Sequence, residues 1–215
     1  MDGDRSSQSI GAFAEALGSS APTPGGGAAS ALVGALAAAL AEMVARFTVG
    51  RARYRDVETQ ASEIIQQAEQ ARVEFVSLVQ ADEKAFGVVS SAYQLPKSSD
   101  EERRARDAEI QAALRTAMQP PLQAMRASLR VVTLARDIAQ IGNTTVLSDA
   151  ACAATIGEAA ARAAALNVLA NVALLHDTDV AHEALRESRA TCAEALILRD
   201  VTLAIVYRRM DVEGL

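Results

Sequence analysis

Apolar residues along this chain recur every three or four positions, and no interior stretch shows the one-by-one alternation of a strand. Clusters rich in Gly, Pro, Ser and Asn punctuate the pattern. They predict seven helical stretches: 9–17, 27–49, 56–92, 99–118, 120–140, 150–175 and 180–208. Pro96 stops the third stretch, and Ser99 with Glu102 has the spacing of a capping box for the fourth. Pro120-Pro121 sits in a first turn, where proline is tolerated, and Gly142-Asn143 marks a helix end. Thr144 to Asp149 reads as a connector, with Ser148 or Asp149 as cap of the helix that follows. No repeat or low-complexity linker divides the chain. The expectation is an all-α, single-domain bundle of about six to seven helices spanning residues 1–215.

Two seams carry polar interruptions. Along the third helix, Val57, Ala61, Ile64, Ala68, Ala71, Phe75, Leu78, Asp82, Ala85 and Val89 fall on one face. The lone carboxylate, Asp82, is costly there unless it is paired or lines a cavity, and burial would raise its pKa toward that of a neutral-pH proton carrier. A structural pairing with an arginine, or a seam that leaves the core at that point, is the competing explanation. Along the sixth helix, Ile156, Ala160, Ala163, Asn167, Ala170 and Leu174 form a second seam, with Asn171 one turn beyond Asn167. Two amides so placed either read a heterocycle that offers donors and acceptors or fix the register between helices.

Composition narrows the fold and the function. Half of the residues are hydrophobic but only 3% are aromatic, with no Trp, so the core is Ala-rich and suits closely approaching helices. A net charge of −6 argues against a general nucleic-acid partner. Cys152 and Cys192 form no CxxC, and His176 and His182 do not share a helical ligand spacing, so no side-chain metal site is expected. Met1 to Gln8 is polar and acidic, unlike a signal peptide. The run Ala28 to Ala41 is about one third shorter than the roughly 20 residues of a membrane span. A cytoplasmic protein with free thiols and no membrane partner is expected.

Near the N-terminus, Ala21-Pro22-Thr23-Pro24-Gly25-Gly26-Gly27 leads straight into an Ala/Leu helix. A bare-backbone loop on a helix start can approach a ligand closely and donate to oxygens, although it also serves as a plain turn and cap. Arg51-Ala52-Arg53-Tyr54 is a basic break that either binds carboxylates or ends a helix. With no Ser/His/Asp or Cys/His arrangement, the acid–base candidates are Asp82, Asp149 and Lys97.

Together these motifs resemble the cyclodeaminase/cyclohydrolase family, which includes the cyclodeaminase half of formiminotransferase-cyclodeaminase and stand-alone bacterial methenyltetrahydrofolate cyclohydrolases. The resemblance rests on Pro22-Thr-Pro-Gly-Gly-Gly27, Gly34-Ala35-Leu36, Met43-Val44, Thr48 to Tyr54, Asp82 with Ala85-Phe86, Leu95-Pro96-Lys97, Ala108 to Gln111, Gly142-Asn143, Ser148-Asp149 and Asn167-Val168 with Asn171. It runs through nearly the whole chain in order. One departure lies in the basic run, where Arg51 and Arg53 stand at positions usually held by lysines. Arginine serves as well for holding carboxylates but does not transfer protons, so any lysine role falls to Lys97.

The resemblance implies a helical homodimer with a folate cleft and no permanently bound cofactor, a tetrahydrofolate derivative being the substrate. It implies hydrolysis of 5,10-methenyltetrahydrofolate to 10-formyltetrahydrofolate. The alternatives are cyclisation of formiminotetrahydrofolate with loss of ammonia, or a folate-binding or repurposed member. In this scheme Asp82 or Asp149 is the base, and the other carboxylate or Lys97 donates to N5. Thr23, Pro24, Gly25, Gly26 and Gly27 contact the ligand through their backbone. Asn143, Ser148, Asn167 and Asn171 line the pocket, the asparagines orienting the pterin. Arg51, Arg53 and Tyr54 engage the benzoyl-glutamate portion.

Overall fold

The computed structural model describes residues 8–213, so the polar start of the chain lies outside it except for Gln8. Seven α-helices are present among the described residues: α1 (Ile10–Leu17), α2 (Gly26–Arg46), α3 (Glu58–Tyr93), α4 (Asp100–Ala117), α5 (Gln119–Ile141), α6 (Leu147–Val172) and α7 (Thr178–Met210). No described residue is in a strand.

The Ala-rich α2 is the central element. Ala28, Ala31, Ala37, Ala38, Ala41 and Ala45 are all buried, and their small side chains let α3, α5 and α6 close around it. The α3 seam is buried as its spacing requires, from Ala61 through Ile64, Ala68, Ala71, Phe75 and Leu78 to Ala85. Phe75, Leu114 and Met125 are among the largest fully buried side chains, each worth about 1.5–3 kcal/mol of apolar burial. The capping box on α4 forms both of its hydrogen bonds, and prolines occupy the first turn of α5.

Three expectations change. The sixth helix begins at Leu147, not at Ala150, because a short 3-10 turn (Thr144–Val146) and the buried Leu147 carry the chain directly into it. Asp149 therefore sits inside the first turn and neither it nor Ser148 is the cap. The second helix ends at Arg46, where Thr48 Oγ1 turns back to donate to the Val44 carbonyl at 2.8 Å, and the basic break becomes a 3-10 helix, Ala52–Val57. Finally, α2 is 21 residues long and apolar enough to cross a membrane by length and composition, beyond the shorter run read from the sequence. Here much of it is packed inside the bundle.

Candidate functional site

The N-terminus of α2 opens on a cavity of about 650 Å³. Its floor is the loop Pro22, Thr23, Gly25 and the first turn residues Gly26 and Gly27. One wall is the final third of α3, where Asp82, Phe86, Ser90 and Tyr93 follow one another at helical spacing. Asn167, Asn171 and Leu174 of α6 form the facing wall, and Leu114 and Ala117 of α4 close the side. Pro24 is buried beneath the loop, after a cis peptide bond from Thr23.

Asp82 ties the floor to the wall. Gly25, the N-cap of α2, has no side chain to satisfy the helix start. The Ala28 N–H instead donates to Asp82 Oδ2 at 3.0 Å, so a carboxylate from a neighbouring helix acts as the cap. This approach requires glycine at 27: a Cβ there would lie 2.0 Å from Asp82 Oδ1. Burial pushes the Asp82 pKa above the usual carboxylate range, against the pull of the Ala28 N–H, and the neighbouring Glu83 charge adds to the rise. Among the described residues no Lys, Arg or His lines the cavity, and none of them gives the carboxylate a counter-ion there. The structural pairing with an arginine is thereby replaced by a backbone cap.

Asn167 and Asn171 do face this cavity. The buried seam of α6 runs one position over, through Ala153, Gly157, Ala160, Ala164, Val168 and Val172, which leaves both amides at its edge rather than in the core. Asn167 Nδ2 donates to the Ala163 carbonyl at 2.9 Å, and Asn171 Nδ2 to the Asn167 carbonyl at 3.0 Å.

The remaining expected residues lie elsewhere. Lys97 is exposed in the turn between α3 and α4 and does not line the cavity. Arg51, Arg53, Tyr54, Asn143, Ser148 and Asp149 gather at the opposite end of α2, about 30 Å away along a helix of this length. Asp149 and Asn167 are likewise separated by about 27 Å of α6. One chain thus brings together Thr23, Gly25, Gly26, Gly27, Asp82, Asn167 and Asn171, and holds the other group apart.

Asn143 needs a correction as a ligand-orienting group. It is 7% exposed, and its side chain is engaged at both ends within the chain. Its Nδ2 donates to the Phe47 carbonyl at 2.9 Å, and its Oδ1 accepts from Thr145 N–H and Thr145 Oγ1, both at 3.0 Å. Tyr54 OH accepts from Thr144 N–H at 3.1 Å, and Arg209 donates to the Ala139 and Gly142 carbonyls. These contacts tie the end of α5 to the end of α2. Arg51 and Arg53 remain exposed beside this knot.

Phe86, Ser90, Tyr93, Leu114, Ala117 and Leu174 also line the cavity, and none of them is among the expected site residues. The first three fall four, eight and eleven residues after Asp82, on its own helix face, which was the available signal. Nothing local in α4 pointed to Leu114 or Ala117.

Residues 9–190 match the family model described as Formiminotransferase-cyclodeaminase. The chain belongs to that family. It is 42% identical over 193 residues to the methenyltetrahydrofolate cyclohydrolase of Methylorubrum extorquens strain AM1, covering 90% of this chain and 93% of that one. The rat formimidoyltransferase-cyclodeaminase is 36% identical over 76% of this chain, which spans only 30% of the rat protein's length. In three dimensions, the crystal structure of formiminotetrahydrofolate cyclodeaminase from Thermotoga maritima superposes with a TM-score of 0.84 at 31% identity, over 96% of this chain and 97% of that one.

Proposed function

We propose that this family member hydrolyses 5,10-methenyltetrahydrofolate to 10-formyltetrahydrofolate in the cytoplasm, with Asp82 as the proton-transferring group. The observation that carries this reading is the end-to-end 42% identity to a methenyltetrahydrofolate cyclohydrolase. The cavity chemistry supports it. The methenyl bridge is a delocalised cation, and a half-buried carboxylate with no counter-ion among the described residues stabilises such a charge by standing ready beside it. Water adds to the bridge carbon while Asp82 takes one of its protons. The adduct then breaks its bond from carbon to N5. N5 gains a proton, the hydroxyl loses its own, and the formyl group stays on N10, with one proton released overall. Because Lys97 and the Asp149 of the same chain stand outside the cavity, Asp82 passes its captured proton to N5 in this scheme.

The distant group acquires a role in a homodimer. The outward face of α2 is apolar along its length, with Leu36 49% exposed at its middle and Phe47 44% exposed at its end. Leu166 and Leu169 of α6 are exposed as well. A two-fold axis through the middle of α2 sets two copies antiparallel, and it lays the Gly26 end of one against the Phe47 to Tyr54 end of the other. Arg51 and Arg53 of the second copy would then hold the carboxylates of the substrate's glutamate tail, and its Asp149 would approach the cavity.

Purified protein is expected to bleach the near-ultraviolet absorbance of methenyltetrahydrofolate faster than buffer does. A rate equal to buffer overturns the reading. The same assay with formiminotetrahydrofolate tests the second reading, a cyclodeaminase, which the Thermotoga maritima structure favours. Ammonia release as fast as methenyl hydrolysis would move the assignment there. If the partner's Asp149 is required at the cavity, Asp82→Asn and Asp149→Asn chains are each inactive alone and mixing them restores about a quarter of wild-type activity through mixed dimers, whereas an active Asp149→Asn protein removes that residue from the shared site.

A further inference from the structure

We propose that α6 reads the lactam and amino edge of the reduced pterin through a fixed order of one donor and two acceptors, supplied by Asn167 and Asn171. The inference rests on the folate reading above and says which end of the substrate meets which wall.

The order follows from how each amide is tied. A helix carbonyl accepts and never donates, so an asparagine amide that meets the carbonyl four residues back must turn its NH2 end toward it. This is the geometry of both residues. Asn171 Nδ2 also donates to the Ala117 carbonyl of α4 at 3.5 Å, which uses both of its N–H groups. Asn171 therefore has only Oδ1 to offer the cavity, as an acceptor. Asn167 Nδ2 makes one such bond, so Asn167 offers Oδ1 and one spare N–H. Among the described residues, neither Oδ1 accepts a hydrogen bond from the protein.

Gly26 keeps this wall open. A Cβ at that position would stand 3.2 Å from both Asn167 Oδ1 and Asn167 Nδ2. The two asparagines are one helical turn apart on the same face. Along α6 the free groups run donor and acceptor at Asn167, then acceptor at Asn171. A 2-amino-4-oxo pterin presents the complement along one edge: a carbonyl oxygen, a ring N–H and an exocyclic amino group. Asn167 pairs with the carbonyl and ring N–H, and Asn171 Oδ1 takes the amino group. N5 follows the carbonyl around the ring system, on the side away from the amino group, so this seating turns N5 and the bridge carbon away from Asn171 and leaves them for Asp82.

The test uses 5-formyltetrahydrofolate, a stable ligand that is not turned over here by hydrolysis of a methenyl bridge, and its 2-deamino analogue. Binding is measured by calorimetry on wild-type protein and on Asn171→Ala. Alanine is the best helix former and already dominates α6, so the variant keeps its fold, to be checked by circular dichroism. Loss of the amino group is expected to weaken binding to wild type about tenfold or more, because Asn171 Oδ1 is left without a partner. In Asn171→Ala the parent and the analogue are expected to bind within about twofold of each other. Asn167→Ala is expected to weaken both ligands while the gap between them persists. Equal binding of the two ligands to wild type, or an undiminished gap in Asn171→Ala, overturns the inference while leaving the folate reading in place. Failure of wild type to bind the parent ligand overturns the folate reading itself.

Discussion

The two ends of α2 use the same kinds of residue to opposite purpose. At the C-terminal end, Thr48 Oγ1 accepts from the Asn143 N–H, Tyr54 OH accepts from the Thr144 N–H, Arg209 donates to backbone carbonyls, and Asn143 has both ends of its amide engaged. At the N-terminal end, and among the described residues, Asn167 and Asn171 each keep an oxygen free, and Asp82 has a single backbone partner. Polar side chains that are fully paired fasten helices together. Polar side chains left partly paired around a cavity are available to a ligand. Residue type alone does not distinguish the two, but the partner count does.

The sharpest way to break this contrast is to remove the charge from the open end. Asp82→Asn keeps an oxygen for the Ala28 N–H but cannot carry a proton, so turnover in the absorbance assay is expected to fall by about 10² or more. Stability should move the other way. Burial raises the Asp82 pKa in the folded state, so its contribution to stability is present below the unfolded value and fades as pH rises through the folded one. Thermal melts above that range are expected to show the variant no less stable than wild type. A variant that melts lower and keeps its turnover would reverse the assignment.

Gly27→Ala attacks the same end through space. The new methyl must displace a carboxylate 2.0 Å away, and a drop in turnover of about tenfold to a hundredfold is expected, with helix content intact by circular dichroism. At the closed end, Asn143→Ala leaves the Phe47 carbonyl and the Thr145 N–H without their partner, and a loss of about 1–3 kcal/mol is expected in denaturant melts.

Glu42, buried on the inner face of α2, gives a smaller and pH-dependent effect. Burial alone would raise its pKa, but hydrogen bonds from Arg46 and Arg72 and their charges more than offset it, and the net shift is downward. Its stabilisation is therefore present above the unfolded carboxylate pKa and lost as pH falls through the lowered one. Glu42→Gln is expected to cost about 1 kcal/mol or more near pH 7 and progressively less in acid, read from melts across pH. The smallest effect is reserved for the exposed Arg53: Arg53→Ala is expected to raise KM a few-fold for a glutamate-tailed substrate and to leave kcat nearly unchanged.

Much of this architecture is legible in the sequence. The α3 seam placed Asp82 among buried alanines, and spacing alone marked it as anomalous. The Pro/Gly run marked a helix start that a ligand could approach. The asparagines of α6 were marked for the same reason, although their seam lies one position away from the true core. What remained hidden depended on partners distant in the chain. Nothing near Asn143 announces that Phe47 and Tyr54 would meet it, and nothing near Gly27 announces a carboxylate from α3. The helix start at Leu147 is hidden because a 3-10 turn capped by Asn143 looks, in sequence, like an ordinary connector.

The bond between Asp82 and Ala28 carries a mechanical consequence. A carboxylate grips an amide far better than a carboxylic acid does, so each proton that Asp82 takes up loosens the first turn of α2, and each proton it gives away tightens it again. The ground beneath the ligand thus softens and stiffens in step with the chemistry above it, and solvent exchange at the Ala28 amide would follow the same titration.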